Sequence, residues 1–296
     1  MKLRRGCLVY RQFRLMPEKP VASILIPCLP APEYLDVALT SVMPQARAAG
    51  AEVIVISDGP HESTAAVAER HGARLVALPR REGLNRARNA GLGEAAGELL
   101  VFIDQDVEAP SGWLDAMLEG ARAYPEYEVF GGPITARLEN GLHGCGREPP
   151  PITTLDAGPH DRDLALVWGA NMAIRRSAFD RIGWFDDALS GRGDEEEWEL
   201  RYAAAGGRIR YLARAGLYHR RSAADARLGA LVSAAYTQGR EVRRHGVRID
   251  DPRPLRAELR TIAGCAWHTI RRRCPYGIVM GARAAGAVRE TLRRRT

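Results

Sequence analysis

Between residues 21 and 104 the chain alternates short apolar runs with helical stretches, and this alternation restricts the fold more than any other feature. "VASILIP" (21–27), "AEVIVISDG" (51–59), "ARLVAL" (73–78) and "ELLVFID" (98–104) are rich in Val, Ile and Leu, and turn residues or acids end them. Such runs predict strands buried on both faces. The intervening stretches 33–48, 61–71 and 84–96 carry apolar residues at helical spacing, for example Leu35, Ala38, Leu39, Val42 and Ala46. Strand–helix–strand units of this length predict a mostly parallel sheet covered by helices. Ligands in such sheets lie outside the carboxyl ends of the strands.

Beyond residue 110 the pattern loosens. A helix is expected at 111–123, strands at 127–132 and 165–174, a short helix at 177–182, and an acidic helix from 194. Late strands are expected at 208–213 and 216–219. Residues 139–163, with "REPPP" at their centre, read as a long surface loop. Three helices are expected to close the chain at 222–245, 254–272 and 276–294. The expected organisation is an extension at 1–20, an α/β domain at 21–220 with halves 21–110 and 111–220, and a basic helical region at 221–296.

Charge and cysteine usage narrow the chemistry. The net charge is +7, carried almost wholly by arginine, because Lys2 and Lys19 are the only lysines. A basic balance favours anionic partners: nucleotide phosphates, nucleic acid or an acidic membrane surface. The cysteines, Cys7, Cys28, Cys145, Cys265 and Cys274, are scattered and never spaced as CxxC. They indicate neither a disulfide framework nor a zinc site. The first twenty residues are basic but lack the apolar core of a signal peptide. No segment approaches the ~20 apolar residues that span a bilayer. The expected location is the cytoplasm, with a peripheral place at the inner face of the cell membrane as an extension of that reading.

Polar sites fall where the strands end. Asp58 precedes a glycine, which suits a turn as well as a ligand contact. "GLNRARNAG" (83–91) opens on a glycine and carries Arg86, Arg88 and Asn89; it is either a solvated basic helix or a phosphate-facing helix start. Asp104 and Asp106 alternate along extended chain, so on a strand they would flank it rather than share a face. At a turn they could converge on Mg²⁺ or Mn²⁺, which favour carboxylate oxygens together with substrate phosphates. "GRGDEEEWELR" (191–201) starts a helix with four successive acids. The helix dipole accounts for one or two of them. Crowding raises carboxyl pKa values, so one of the four is a candidate general base.

In order and spacing, "SILIPCLPAPEYL", "EVIVISDG", "GLNRARNAGLGEAAGELLVFIDQD", "WGANMAIRRSAFDRIGWFDDAL" and "GDEEEWELRYAAAG" together resemble family 2 glycosyltransferases over residues 21–220. The resemblance implies a GT-A fold, in which a nucleotide-binding α/β half is fused to an acceptor-binding half, and inverting transfer from a nucleotide-sugar, first a uridine one. It implies Asp58 at the nucleobase, with Ser57 where many relatives carry a second aspartate. It implies Arg88 and Asn89 beside the nucleotide, Asp104 near ribose or metal, and Asp106 as a metal ligand. Pro27, Gln105, Gly169 and Asn171 fall in the donor-binding segments. His219 stands where many relatives carry a histidine close to the metal, although a lone histidine is as often structural. Aligned on Arg201, the base position is Glu195, with Asp194 and Glu197 as competitors. The implied cofactor is Mn²⁺ or Mg²⁺. The implied acceptor is a hydroxyl of a glycan, glycolipid or small molecule, as in bacterial envelope or polysaccharide synthesis.

Other readings compete. Sugar-phosphate nucleotidyltransferases share the α/β half but usually carry a glycine-rich basic loop after the first strand, where this chain has "PCLPAPEYL". A nucleic-acid-binding protein would fit the charge, but aromatics make up 6% of residues and no binding motif is present. The arginines at 271–273 and from Arg289 to Arg295 flank apolar "YGIVMGARAAGAV". That stretch is either an anionic-membrane contact or a helix packed on the catalytic domain with a solvated basic face.

Overall fold

A computed structural model of the chain describes residues 8–9, 19–139, 153–189, 194–248 and 254–293. Most of the N-terminal extension, the centre of the expected 139–163 loop and the side chain of Asp194 lie outside the described residues. The chain forms two compact units. The first comprises residues 1–135, 154–190 and 194–219; the second comprises 136–153, 191–193 and 220–296.

In the first unit the chain begins β1 (Leu8–Val9), β2 (Ala22–Cys28), α1 (Pro32–Ala49), β3 (Glu52–Ser57), α2 (Glu62–His71), β4 (Arg74–Ala77), α3 (Leu84–Glu94) and β5 (Leu99–Ile103). It continues through β6 (Val107–Glu108), α4 (Trp113–Ala123), β7 (Val129–Gly131) and β8 (Ile134–Leu138), which runs into the second unit from residue 136. Then come β9 (Arg162–Leu164), β10 (Asn171–Arg175), α5 (Arg176–Ile182), α6 (Asp194–Ala204), β11 (Ile209–Tyr211) and β12 (Leu217–Arg221), the last leading into the second unit. Among the described residues the main sheet has the order β1-β4-β3-β2-β5-β10-β7-β11-β9. β4, β3, β2 and β5 are mutually parallel, as expected. β10 runs antiparallel to both β5 and β7, so the second half of the sheet is mixed.

The central strands are apolar without interruption because both faces are covered. Ile24, Ile26, Val53, Val55, Val101 and Ile103 pack into one core layer with α1 and α4. Their neighbours Leu25, Ile54, Ile56, Leu100 and Phe102 pack into the other, with Phe179, Trp198 and Tyr202. This is the period of two of a pleated strand sandwiched between helices. α6 is fastened to its layer by aromatic contacts. Trp198 lies 4.9 Å from Phe179 and 5.9 Å from Phe185 between ring centroids, and stacks on Tyr202 at 5.5 Å.

The helix expected from 222 begins only at Leu228, and one expected strand differs in kind. The apolar run 165–174 does not form a single strand; β10 begins only at Asn171, and 162–164 form β9. A turn closed by Asn171 N–H donating to Trp168 O (2.9 Å) breaks the run. Since β10 is antiparallel to β5, with Asn171 opposite Ile103, this turn sits at the carboxyl end of β5.

The second unit contains α7 (Leu228–Arg248), α8 (Leu255–Arg272) and α9 (Tyr276–Arg293). α9 is the central packing element: Tyr276, Gly277, Val279, Ala284, Gly286, Ala287, Glu290 and Thr291 are buried. Glycines permit the close approach. A Cβ at Gly286 would collide with Tyr236 O of α7, and one at Gly277 would lie 2.6 Å from Cys265 O of α8. The stretch "YGIVMGARAAGAV" thus lies in a helix whose buried residues pack against α7 and α8.

Candidate active site

The strand that opens the site ends at Ile103, and residues 104–106 turn. Because the chain leaves extended geometry there, Asp104 and Asp106 do not flank a strand. Each offers a ligand atom to a cluster completed by His219, all within 4.8 Å of one another. His219 arrives from far along the chain because β12 pairs with β6, placing His219 opposite Val107. Its Nε2 lies 3.1 Å from Asp106 Oδ1, and the imidazole is buried. Burial, then the neighbouring Asp106 charge, push the Asp104 carboxyl up; His219 and Arg88 pull it down, and Glu195 adds to the rise. Two crowded carboxylates and an imidazole form a donor set suited to a divalent ion such as Mn²⁺. The bound cation would relieve the repulsion that raises Asp104.

Glu195 lies on the inner face of α6. Helical spacing places Glu195, Trp198, Glu199 and Tyr202 on one buried stripe. Glu197 is on another face, where it pairs with Arg201 (2.6 Å). Helix phase therefore separates Glu195 from Glu197, one of its two competitors. Glu195 Oε1 accepts from Gly169 N–H (3.2 Å), and its Oε2 is 3.5 Å from Arg88 Nη1. Arg88 is 2% exposed; it donates to Asn85 Oδ1 (3.1 Å) and lies over the Phe185 ring at 5.5 Å. A Cβ at Gly169 would collide with Arg88 Nη2 and sit 3.6 Å from Glu195 Cδ, so a side chain there would displace the guanidinium.

Glu199 escaped the sequence reading. It is fully buried and accepts from Val167 N–H (3.2 Å), while its Oε2 has no hydrogen-bond partner among the described residues. Burial, followed by the charge of Glu195, raises its carboxyl well above the ordinary range. The signal was available in the sequence: Glu199 is four residues beyond Glu195 and one beyond Trp198, on the same helical stripe.

Asp58 ends β3 and is buried. Its Oδ1 accepts from Glu82 N–H (2.6 Å), and both oxygens approach Gly83 N–H at 3.1–3.2 Å. Gly83, at φ 100°, opens α3, so Asp58 holds the start of the helix that carries Arg88. A cleft of about 410 Å³ lies alongside, lined by Pro30, Asp58, Gly59, His61 and Arg81 among others. Cys28, behind it, is no nucleophile: burial pushes its thiol up to about 12, and Asp58 adds to the rise.

Four expected donor contacts are spent inside the fold. Asn171 Oδ1 accepts from Trp113 Nε1 (3.0 Å), and its Nδ2 donates to Pro133 O and Ala215 O (3.1 and 2.8 Å). Both of its N–H donors are used, and through these bonds Asn171 ties α4 to the sheet end. Asn89 donates to Phe185 O and Asp187 Oδ1 (2.8 and 2.5 Å) and accepts from Phe185 N–H (3.2 Å). It fastens the 185–187 segment to α3, a supporting role. Gln105 Oε1 accepts from Leu29 N–H (2.9 Å), tying the aspartate turn to the loop after β2. Pro27 is buried within β2 opposite Ile56.

The family model for glycosyl transferase family 2 matches residues 23–183. An O-antigen biosynthesis protein, RfbC, from Myxococcus xanthus is 29% identical over 238 residues, 73% of this chain and 18% of that protein. A pre-mycofactocin glycosyltransferase from Mycobacterium tuberculosis is 30% identical over 172 residues, 55% of this chain and 36% of that protein. The chain thus spans about a fifth to a third of the length of these relatives. Among solved structures, the mannosyltransferase PcManGT from Pyrobaculum calidifontis, in complex with GDP-Man and Mn²⁺, aligns with a TM-score of 0.62 at 14% identity, covering 94% of this chain and 89% of that one. GalNAc-T7 with UDP, GalNAc and Mn²⁺ aligns with a TM-score of 0.55 at 18% identity, covering 68% and 44%. The likeness to these structures is one of fold, the GT-A fold.

Proposed function

The chain belongs to glycosyl transferase family 2, and from that premise we propose that it catalyses metal-dependent, inverting transfer of a sugar from a nucleotide-sugar to a hydroxyl acceptor. The observation that carries the reading is the meeting of two groups of opposite function at one sheet end. They are the Asp104–Asp106–His219 donor set and the Glu195 carboxylate, held between Gly169 N–H and Arg88.

Glu195 is the proposed general base. It removes the proton of the acceptor hydroxyl as that oxygen attacks the anomeric carbon. The bond from that carbon to the nucleoside diphosphate breaks, and the electron pair leaves with the diphosphate, so configuration inverts and no enzyme–sugar bond forms. Arg88 and Gly169 orient the carboxylate for this task. A divalent ion held by Asp104, Asp106 and His219 would neutralise charge growing on the departing diphosphate. The cleft beside Asp58 suits the nucleobase, with Arg81 as a cation on its wall. A uridine donor is the first expectation, because uridine nucleotides are the commonest in the family. The acceptor class is a glycan, glycolipid or small molecule, reached in the cytoplasm or at the inner face of the membrane.

The test is a thermal-shift panel of uridine, guanosine and thymidine diphosphates and their sugars, with Mn²⁺ and Mg²⁺. A selective, metal-dependent shift is expected; no shift with any of them would overturn the donor reading. Glu195→Gln should lower turnover by on the order of 10²–10⁴-fold and keep the nucleotide shift. Full activity in that variant would remove Glu195 from the role.

A further inference from the structure

The helical unit has a face that its own packing leaves uncovered. α8 contains no buried residue. It meets α9 along one edge, where Cys265 O and Thr269 Oγ1 crowd Gly277 and Cys265 Cβ lies 3.5 Å from a Cβ built at Gly281. At about 100° per residue, the opposite side carries Leu259, Ala263, Ala266, Trp267 and Ile270 within a stripe roughly 100° wide. These are not marginal exposures: Leu259 is 51%, Trp267 67% and Ile270 77% exposed.

The charge around the stripe identifies its occupant. Arg256, Arg260 and Arg271 are exposed on the same side, and Arg272 and Arg273 follow at the helix end. Glu258 is the only acid in α8, and it projects from the opposite side. A second copy of this face would bring arginine against arginine. An anionic bilayer offers apolar depth to Trp267 and Ile270 and phosphate to the arginines. Among the described residues no helix is long and apolar enough to cross a membrane, so the geometry is one of lying in the interface.

We infer that α8 docks the protein on anionic phospholipid through Leu259, Trp267 and Ile270, with Arg256, Arg260 and Arg271 on the headgroups. This extends the membrane-side location given under the proposed function and rests on it for its purpose. It assigns the contact to α8 rather than to the apolar stretch of α9, which is packed inside the unit.

The test is flotation of the full chain with phosphatidylcholine vesicles, with and without phosphatidylglycerol. Binding is expected only with phosphatidylglycerol, and it should weaken at about 0.5 M salt, where screening shortens to a few ångströms. The W267A/I270A variant should lower partitioning by about tenfold or more. Reversing Arg256, Arg260 and Arg271 to Glu should lower it by on the order of a hundredfold. Both variants alter exposed side chains of α8, none of which belongs to the donor set, so both should keep the metal-dependent nucleotide shift. Failure of the wild type to float, or flotation of both variants like the wild type, overturns the inference. So does a wild-type dimer in light scattering that W267A/I270A dissolves. Loss of the nucleotide shift in the wild type bears on the donor reading alone, because vesicle binding needs no donor.

Discussion

Glu199→Gln is a revealing perturbation because the structure predicts the slope of its effect. Glu199 is fully buried beneath Glu195, and burial together with that neighbour raises its carboxyl well above the ordinary range. Below the ordinary carboxyl pKa the folded and unfolded chains both carry the proton, and the group costs nothing. As pH rises, the unfolded chain releases its proton first, and the wild type loses stability through the window between the ordinary and the raised value. Above the raised value the loss stops growing. One proton held by the folded state alone is worth about 1.4 kcal/mol for each pH unit in that window. Gln cannot titrate, so the variant loses this slope. A buried amide left partly unsatisfied adds a constant offset of about 1–3 kcal/mol, which moves the whole curve without tilting it. Urea denaturation at pH 5, 6 and 7, followed by circular dichroism, reads both quantities. The expected result is a free-energy difference between variant and wild type that rises with pH in favour of Gln. Parallel pH curves would refute the claim that Glu199 is held neutral. A neutral-for-neutral exchange should also leave turnover within about tenfold of the wild type, in contrast to Glu195→Gln.

Further outcomes are expected at the same sheet end. Asp106→Ala and His219→Ala should each remove the Mn²⁺-dependent tightening of nucleoside diphosphate binding, measured by calorimetry with and without chelator; metal-independent turnover of the wild type would contradict both. Gly169→Ala should displace Arg88 and so lose turnover, with a stability cost of about 1–3 kcal/mol from the forced contact, read by thermal unfolding and kinetics together. Trp198→Ala should cost about 3–5 kcal/mol, because it empties the centre of the aromatic cluster that holds α6.

Much of the site was legible because its residues lie where strands end. "SDG" after β3 and "DQD" after β5 sit at the carboxyl ends of parallel strands, which is where an α/β sheet binds its ligands. Glu195 was legible only as one of several acids. Choosing among them needed the phase of α6, which is set by Trp198 and Tyr202 packing against the sheet and not by the acids themselves. Asn89 and Asn171 were ambiguous for a related reason. An asparagine near a motif offers the same donors and acceptors whether it faces a ligand or bonds Phe185 or Trp113, and sequence does not distinguish the two.

The sequence by itself determined the α/β class and the parallel core, because apolar runs, helical spacing and turn residues are local properties that neighbouring residues carry; the family was carried by the order of its motifs. Only the tertiary structure decided how the second half of the sheet is built and which residues meet. The antiparallel insertion of β10 against β5 brings Gly169 to Glu195 and Arg88. The pairing of β12 with β6 brings His219 across more than a hundred residues to Asp106. Contacts of that range depend on strand order and register, which many sequences with the same local pattern could resolve differently. The bare face of α8 has the same origin: its apolar stripe is written in the sequence, but only the packing of α7, α8 and α9 shows that the unit leaves it uncovered.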